Sequence, residues 1–272
     1  MLKIFLARAK QGHRTIKYPG GPPPEMPDRF RGRPAIKAEK CPPDCRACAD
    51  ACPTGAVTLT DKLRIDTGKC LFCDDCVRVC PEHAIAYTSD YQLAARDRQS
   101  LVIEQGQEVA ALSAALDARL KKLFGRSLKL RQVSAGGCNA CEADVNVLNT
   151  VGWDLGRFGI QMVASPRHAD GLLITGPVTQ NMALALKKTY DAVPEPKIVI
   201  AVGACAISGG PYINHTEVRN GADAILPVDL YIPGCPPHPL TILDGLLRLI
   251  GRIEDGSRWM PRGNSTAKKA AE

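Results

Sequence analysis

Cysteine is the residue whose number and spacing carry chemistry in this chain. Twelve occur among 272 residues, and eight fall in two short blocks. The segment "CPPDCRACADACP" supplies Cys41, Cys45, Cys48 and Cys52, and "CLFCDDCVRVCP" supplies Cys70, Cys73, Cys76 and Cys80. A thiolate can grip zinc, exchange disulfides or hold part of an iron–sulfur cluster. The opening "MLKIFLARAKQGHR" has too short an apolar core for a secretory signal and no small-residue cleavage site. A cytoplasmic chain is therefore expected, and in that reducing compartment metal ligation is the default use of so many thiols.

The two blocks repeat one another. Cys45, Cys48 and Cys52 recur at Cys73, Cys76 and Cys80, each 28 residues on, while Cys41 and Cys70 are 29 apart. The flanks repeat as well: Ala56, Val57 and Leu59 are echoed by Ala84, Ile85 and Tyr87. This is an internal duplication. Two-residue gaps let a turn bring three thiolates to adjacent corners of one cubane, and the fourth, followed by proline, points to the other cluster. The expected ligand sets are Cys41, Cys45, Cys48 and Cys80 for one cluster, and Cys70, Cys73, Cys76 and Cys52 for the second. A pair of zinc knuckles is the alternative, and it needs neither the third cysteine of each run nor the paired Cys-Pro.

Residues 35–89 resemble the bacterial two-[4Fe–4S] ferredoxin family. The departure is the first gap, where "PPD" puts three residues between Cys41 and Cys45 instead of the family's two.

The other four thiols are spread through the second half, at Cys138 and Cys141 in "GGCNACE", Cys205 in "VGACAISGG" and Cys235 in "VDLYIPGCPPHPL". The elements that must position them alternate. Segments 127–133, 160–165, 171–176, 197–203 and 228–234 read as strands, with helices near 140–150, 178–190 and 239–250. Alternation of this kind implies an α/β fold with a parallel, doubly wound sheet, flavodoxin-like in type. All four cysteines are expected on loops past the carboxyl ends of strands, where open α/β sheets place their ligands. Four thiolates converging there suit a third cubane or a zinc ion. Gly203, Gly209 and Gly210 are not a dinucleotide fingerprint, since Cys205 occupies the loop; glycine there lets backbone approach the cluster.

Those motifs, with "RFGIQMVASPRHADGLLITGPVT", resemble the small subunit of membrane-bound, formate-hydrogenlyase-type group 4 [NiFe]-hydrogenases. The 20 kDa cluster-bearing subunit of complex I belongs to the same superfamily. Complex I members usually carry adjacent cysteines where this chain has Cys138-Asn-Ala-Cys141, which favours the hydrogenase branch. The segment "TIKYPGGPPPEMPDRFRGRPAI" is similar to the entry into the polyferredoxin subunit of the same complexes. The resemblance implies a fusion of two electron-transfer subunits holding three [4Fe–4S] clusters, the third on Cys138, Cys141, Cys205 and Cys235. It further implies a catalytic large subunit as partner, other soluble and membrane-arm subunits, and a place on the cytoplasmic face of the inner membrane. No direct small-molecule substrate is expected. The alternatives are the same wire in a nickel-free complex handing electrons to a quinone or other acceptor, and a free-standing ferredoxin-like carrier.

The expected organisation is an N-terminal arm (1–34), a ferredoxin domain (35–89), a helical linker (90–125), the α/β domain (126–252) and a tail (253–272). The linker helix rests on Val109, Leu112, Leu116, Leu120 and Leu123 at i, i+3, i+4 spacing. The net charge of +7 is scattered and aromatic content is 5%, which argues against nucleic acid and suits an acidic partner or an anionic membrane face. The stretch "KIFLARAK" could meet such a surface or serve as an ordinary arm. No side chain presents itself as a catalytic acid, base or nucleophile. Glu142, next to Cys141, is a candidate proton relay, although an acid in a helix's first turn is favourable through the dipole alone. His168 is expected to be structural and Arg167 a candidate interface residue.

Overall fold

The computed structural model describes residues 2–12, 14–42, 45–106, 123–124 and 127–253. Residues 2–104 form short elements: α1 (Leu2–Gln11), β1 (Pro34–Ile36), α2 (Ala47–Asp50), β2 (Val57–Leu59), β3 (Leu63–Asp66), α3 (Asp75–Arg78), β4 (Ile85–Tyr87) and β5 (Val102–Glu104). β1 pairs antiparallel with β4, Ile36 facing Ile85, and β2, β3 and β5 form an antiparallel sheet. One core cluster of this lobe consists of Cys48, Val57, Leu63, Ile65, Cys76 and Ile85, so thiols make up a third of it. So little apolar surface rarely holds a lobe together without disulfides or metal.

The connector expected to be helical over 90–125 departs from that at its start. Ile103 of β5 lies opposite Ile65 of β3 and is buried beside it, so the ferredoxin-like lobe draws its third strand from beyond residue 89. The alternation of "VIE" with its inward isoleucine is a strand's period, not a helix's. The amphipathic helix over Val109–Leu123 lies outside the described residues, apart from Leu123 itself, which is helical.

The second half is an open parallel sheet of β6 (Leu128–Ser134), β7 (Ile160–Met162), β8 (Gly171–Thr175), β9 (Ile198–Val202) and β10 (Leu230–Ile232). Its order is β10-β9-β8-β6-β7, with every pair parallel. β8 and β9 are buried at all five positions; "GLLIT" and "IVIAV" are unbroken apolar runs because both faces are covered. The helices are α4 (Ala140–Val147), α5 (Gln180–Asp191), α6 (Ala204–Ser208) and α7 (Pro239–Leu249). The order reverses between β6 and β8, which opens a crevice at their carboxyl ends.

α7 is buried at all eleven residues, Asp244 and Arg248 included. Sheet covers one side, and the N-terminal arm covers another: Tyr18 Oη donates to Asp244 Oδ1 at 2.6 Å, and Arg248 Nε donates to Asp244 Oδ2 at 2.8 Å. The arm is held in turn by Arg157, which donates to the carbonyls of Ile16 (2.7 Å) and Tyr18 (2.8 Å). Preceding it, α1 buries no residue and leaves Leu2, Ile4 and Phe5 at least 70% exposed.

The two lobes are packed together. Ala95 and Tyr231 exchange both backbone hydrogen bonds (3.0 and 2.8 Å), and Ser208 Oγ donates to the carbonyl of Gly68 at 3.0 Å. The contacts lay α6, which carries Cys205, against the loop that enters the second cysteine block.

Candidate iron–sulfur sites

In the first lobe Cys48 lies in α2 and Cys76 in α3, both buried, while the other six thiols sit on the flanking loops. Their mutual electrostatics fall into two groups. Burial, then the charges of Cys45 and Cys80, push the Cys41 thiol up. Cys48 is pushed up to about 11 by burial, then by Cys41, Cys76 and Cys80. Cys70 is raised to about 11, chiefly by burial, with Cys76 and Cys52 adding to it. Cys76 is raised by burial and then by Cys52 and Cys73. Cys80 thus stands with the first block and Cys52 with the second. The Cys48–Cys76 interaction joins the two groups through the core.

Backbone amides point at these sulfurs. Ala56 N donates to Cys52 Sγ and Ala84 N to Cys80 Sγ, each at 3.2 Å, at positions related by the duplication. Phe72 N donates to Cys70 Sγ at 3.3 Å. Such donors to sulfur help set a cluster's potential. In two CxxC turns the residue after the first cysteine has a positive φ: Asp74 (67°) between Cys73 and Cys76, and Asn139 (71°) between Cys138 and Cys141. Asp and Asn tolerate that left-handed conformation better than other side chains, a signal present in the sequence that spacing alone overlooked.

The second-half thiols meet at the carboxyl edge of the sheet. Cys138 follows β6 and Cys235 follows β10 on loops, as expected; Cys141 and Cys205 instead lie in the first turns of α4 and α6. A single residue separates β9 from α6, and α4 begins at Ala140 after a five-residue loop, so each of those two cysteines is the second residue of its helix. Gly203 (φ +90°) and Gly210 (φ +56°) keep space beside them: a Cβ would come within 2.5 Å of Cys141 Sγ and 2.8 Å of Cys205 Sγ, respectively. Cys205 is pushed up to about 12 by burial, then by Cys235, Cys138 and Glu142. The Cys141 thiol is also pushed up, by burial and then by Cys205, Cys235, Glu142 and Cys138. Cys205 is buried, whereas Cys138 and Cys235 are exposed, so the site opens outward on their side.

Glu142 is buried, and its Oε1 accepts a hydrogen bond from Thr175 Oγ1 at 2.7 Å, tying the first turn of α4 to the end of β8. Arg167 and His168 are exposed on a 3₁₀ turn before β8, at the sheet's other edge; the structure does not bring them to the thiols. Between the lobes runs a cleft with Leu71 and Phe72 on one wall and the 233–238 loop on the other. Across it, Cys73 is among the charges that raise Cys235, after burial and Cys138. His238 lines the same cleft. It caps α7 by accepting from Leu240 N at 3.1 Å, with Phe30 and Trp153 edge-on to its ring.

The donor set fits iron–sulfur clusters. The thiols of each group are near enough to sense one another's charge, and sets of four cysteine thiolates are the usual ligands of such clusters.

An open α/β domain with thiols at its carboxyl edge, preceded by a duplicated cysteine lobe, defines an iron–sulfur protein of oxidoreductase type. Residues 138–249 match the family model of the NADH ubiquinone oxidoreductase 20 kDa subunit, and residues 40–84 match that of the 4Fe-4S dicluster domain. The chain is 42% identical over 136 residues to the probable membrane-bound hydrogenase subunit mbhJ of Pyrococcus furiosus, spanning 50% of this chain and 81% of that one. It is 44% identical over 141 residues to formate hydrogenlyase subunit 7 of Escherichia coli, covering 52% of this chain and 55% of that one. Against a subunit of the NADH-quinone oxidoreductase of Clostridium beijerinckii it is 47% identical over 118 residues, covering 43% and 70%. The chain belongs to the family of the NADH ubiquinone oxidoreductase 20 kDa subunit, with a 4Fe-4S dicluster domain on its N-terminal side. It is an electron-transfer subunit of an oxidoreductase.

Proposed function

We propose that this chain conducts electrons between a cluster on Cys138, Cys141, Cys205 and Cys235, facing a catalytic large subunit, and two ferredoxin-type clusters. Cys70, Cys73, Cys76 and Cys52 would hold the nearer of these, and Cys41, Cys45, Cys48 and Cys80 the farther. The observation that carries the reading is the packing of the second cysteine block against the Cys235 loop, where the charge of Cys73 reaches Cys235. Each cluster, when bound, supplies one-electron chemistry at a potential within roughly −700 to +450 mV.

The protein's share is to hold and shield. Thiolates anchor the clusters, Gly203 and Gly210 clear space beside two sulfurs, and Leu71, Phe72 and the 233–238 prolines line the gap between the lobes with mostly apolar groups. The exposed Cys138 and Cys235 side supplies the face on which the large subunit docks. Glu142, held by Thr175 at this edge, is the candidate proton relay of the site.

Among the described residues no helix is long and apolar enough to cross a membrane. Attachment to the cytoplasmic face of a membrane would run through partner subunits, and the exposed apolar residues of α1, with Lys3, Arg8 and Lys10 beside them, suit such contact. The names of the hydrogenase and formate hydrogenlyase relatives favour a hydrogen-evolving or hydrogen-consuming complex; the quinone oxidoreductase relatives favour a nickel-free counterpart.

The deciding experiment is the nickel content of the intact complex, purified anaerobically by a tag on this chain. Nickel at about one per chain supports the hydrogenase assignment. Iron without nickel moves the same wire to a quinone- or other acceptor-linked complex, and a stable monomer with no partner makes the chain a free-standing carrier.

A further inference from the structure

We propose that the Tyr87 hydroxyl donates a hydrogen bond to the sulfur of Cys70, and more weakly to that of Cys76, and so holds their cluster at a higher potential than its duplicate. The inference rests on the ligand sets given under Proposed function and assigns a role to a residue outside them.

Tyr87 ends β4. Its Oη lies 3.4 Å from Cys70 Sγ and 4.0 Å from Cys76 Sγ. Between two free groups either atom could donate, but a cysteine sulfur bound to iron carries no proton, which leaves the phenol as the donor. A phenol keeps its proton at neutral pH, so the hydroxyl is available to donate. The ring is held in place by its tilted contact with Phe72, with centroids 5.9 Å apart.

The duplication supplies an internal control. The residue 28 positions before Tyr87 is Leu59, which ends β2 as Tyr87 ends β4 and has no donor. The amide bonds at the paired positions match, one of 3.2 Å to each expected ligand set, from Ala56 to Cys52 or from Ala84 to Cys80; the Cys70 set receives a further amide bond from Phe72 at 3.3 Å, which Tyr87→Phe leaves in place. Thr54 Oγ1 lies 3.9 Å from Cys52 Sγ, but its proton goes to the carbonyl of Lys69 at 2.8 Å. Tyr87 is therefore a departure from the repeat with a direct electrostatic consequence. A donor at sulfur stabilises the more negative, reduced cluster and raises its potential. The cluster so favoured is the one beside the Cys235 loop, so the inner of the two ferredoxin-type sites would be the easier to reduce.

The test is an EPR-monitored redox titration of the intact complex, comparing wild type with Tyr87→Phe, with iron content measured on both. Phenylalanine keeps the ring and loses only the hydroxyl. The expected result is a fall in the midpoint of the Cys70 cluster by about tenfold in its reduction equilibrium, about 59 mV for one electron, with the other two clusters unmoved. An unchanged midpoint with iron retained overturns the proposal, as does an equal shift of all three clusters. Should Tyr87→Phe lose its cluster, 3-fluorotyrosine at position 87, a more acidic donor in the same place, must raise the midpoint; no rise overturns the proposal. Iron missing from wild type would instead count against the ligand sets, so the two failures are distinguishable.

Discussion

Gly203 approaches Cys141 so closely that a Cβ on it would stand 2.5 Å from the sulfur. Its φ of +90° also disfavours any L side chain. Gly203→Ala should therefore displace Cys141 or the backbone and cost the chain its third cluster, while the sites of the first lobe stay filled. Iron per chain should fall by about a third. Gly152→Ala is the control, since a Cβ there meets nothing within 4 Å, and iron analysis with EPR reads both.

The crossed ligand sets make a sharper prediction. Cys52 follows the first block in sequence but shares its electrostatic neighbourhood with Cys70 and Cys76. Cys52→Ser should perturb the same EPR signal as Cys73→Ser, and Cys80→Ser the same signal as Cys45→Ser. If Cys52→Ser instead matches Cys45→Ser, each block closes its own cluster and the crossed sets are wrong.

Much of this was legible in the sequence, because cysteine spacing and strand–helix alternation are local signals. The five strands of the sheet and its three longer helices fall where apolar runs and periodicity put them. What stayed hidden depends on contacts between distant segments. β5 is a strand because Ile103 meets Ile65, and α7 can carry Asp244 and Arg248 inside because Tyr18, 226 residues earlier, reaches back to it. The role of Tyr87 left a trace, as the position where the duplication swaps leucine for tyrosine, yet only the folded geometry brings its hydroxyl to two sulfurs.

The Tyr18–Asp244–Arg248 contact is a structural clasp with a measurable weight. The side chains of Asp244 and Arg248 are only 1% and 5% exposed. Asp244→Ala removes the carboxylate from a buried guanidinium and should destabilise the α/β lobe by about 3–5 kcal/mol. Tyr18→Phe removes one hydrogen bond to a charged group and should cost about 1.5–3 kcal/mol. Because both act on one network, the double variant should lose less than the sum. Anaerobic thermal or urea unfolding, followed by circular dichroism, measures all three.

His238 gives a pH dependence with a definite sign. Burial lowers its pKa below the ordinary histidine value, and its Nδ1 accepts the Leu240 amide only when unprotonated. The unfolded chain then binds the proton more tightly than the folded one, so this contribution is fully present above about pH 6.5. It is lost as pH falls from there through the depressed value. His238→Asn retains a capping acceptor without a titrating group. The difference in melting temperature between wild type and variant should stay flat from pH 8 to 7 and shift in the variant's favour as pH drops toward 5.

The measurement that bears most directly on the wire is the iron, acid-labile sulfide and zinc content of the anaerobically purified complex, expressed per copy of this chain and corrected for partner subunits. Three cubanes predict about twelve irons and twelve sulfides on this chain, with no zinc. About eight irons with one zinc would put a structural metal at the Cys138 edge and break the path to the large subunit, contradicting the account.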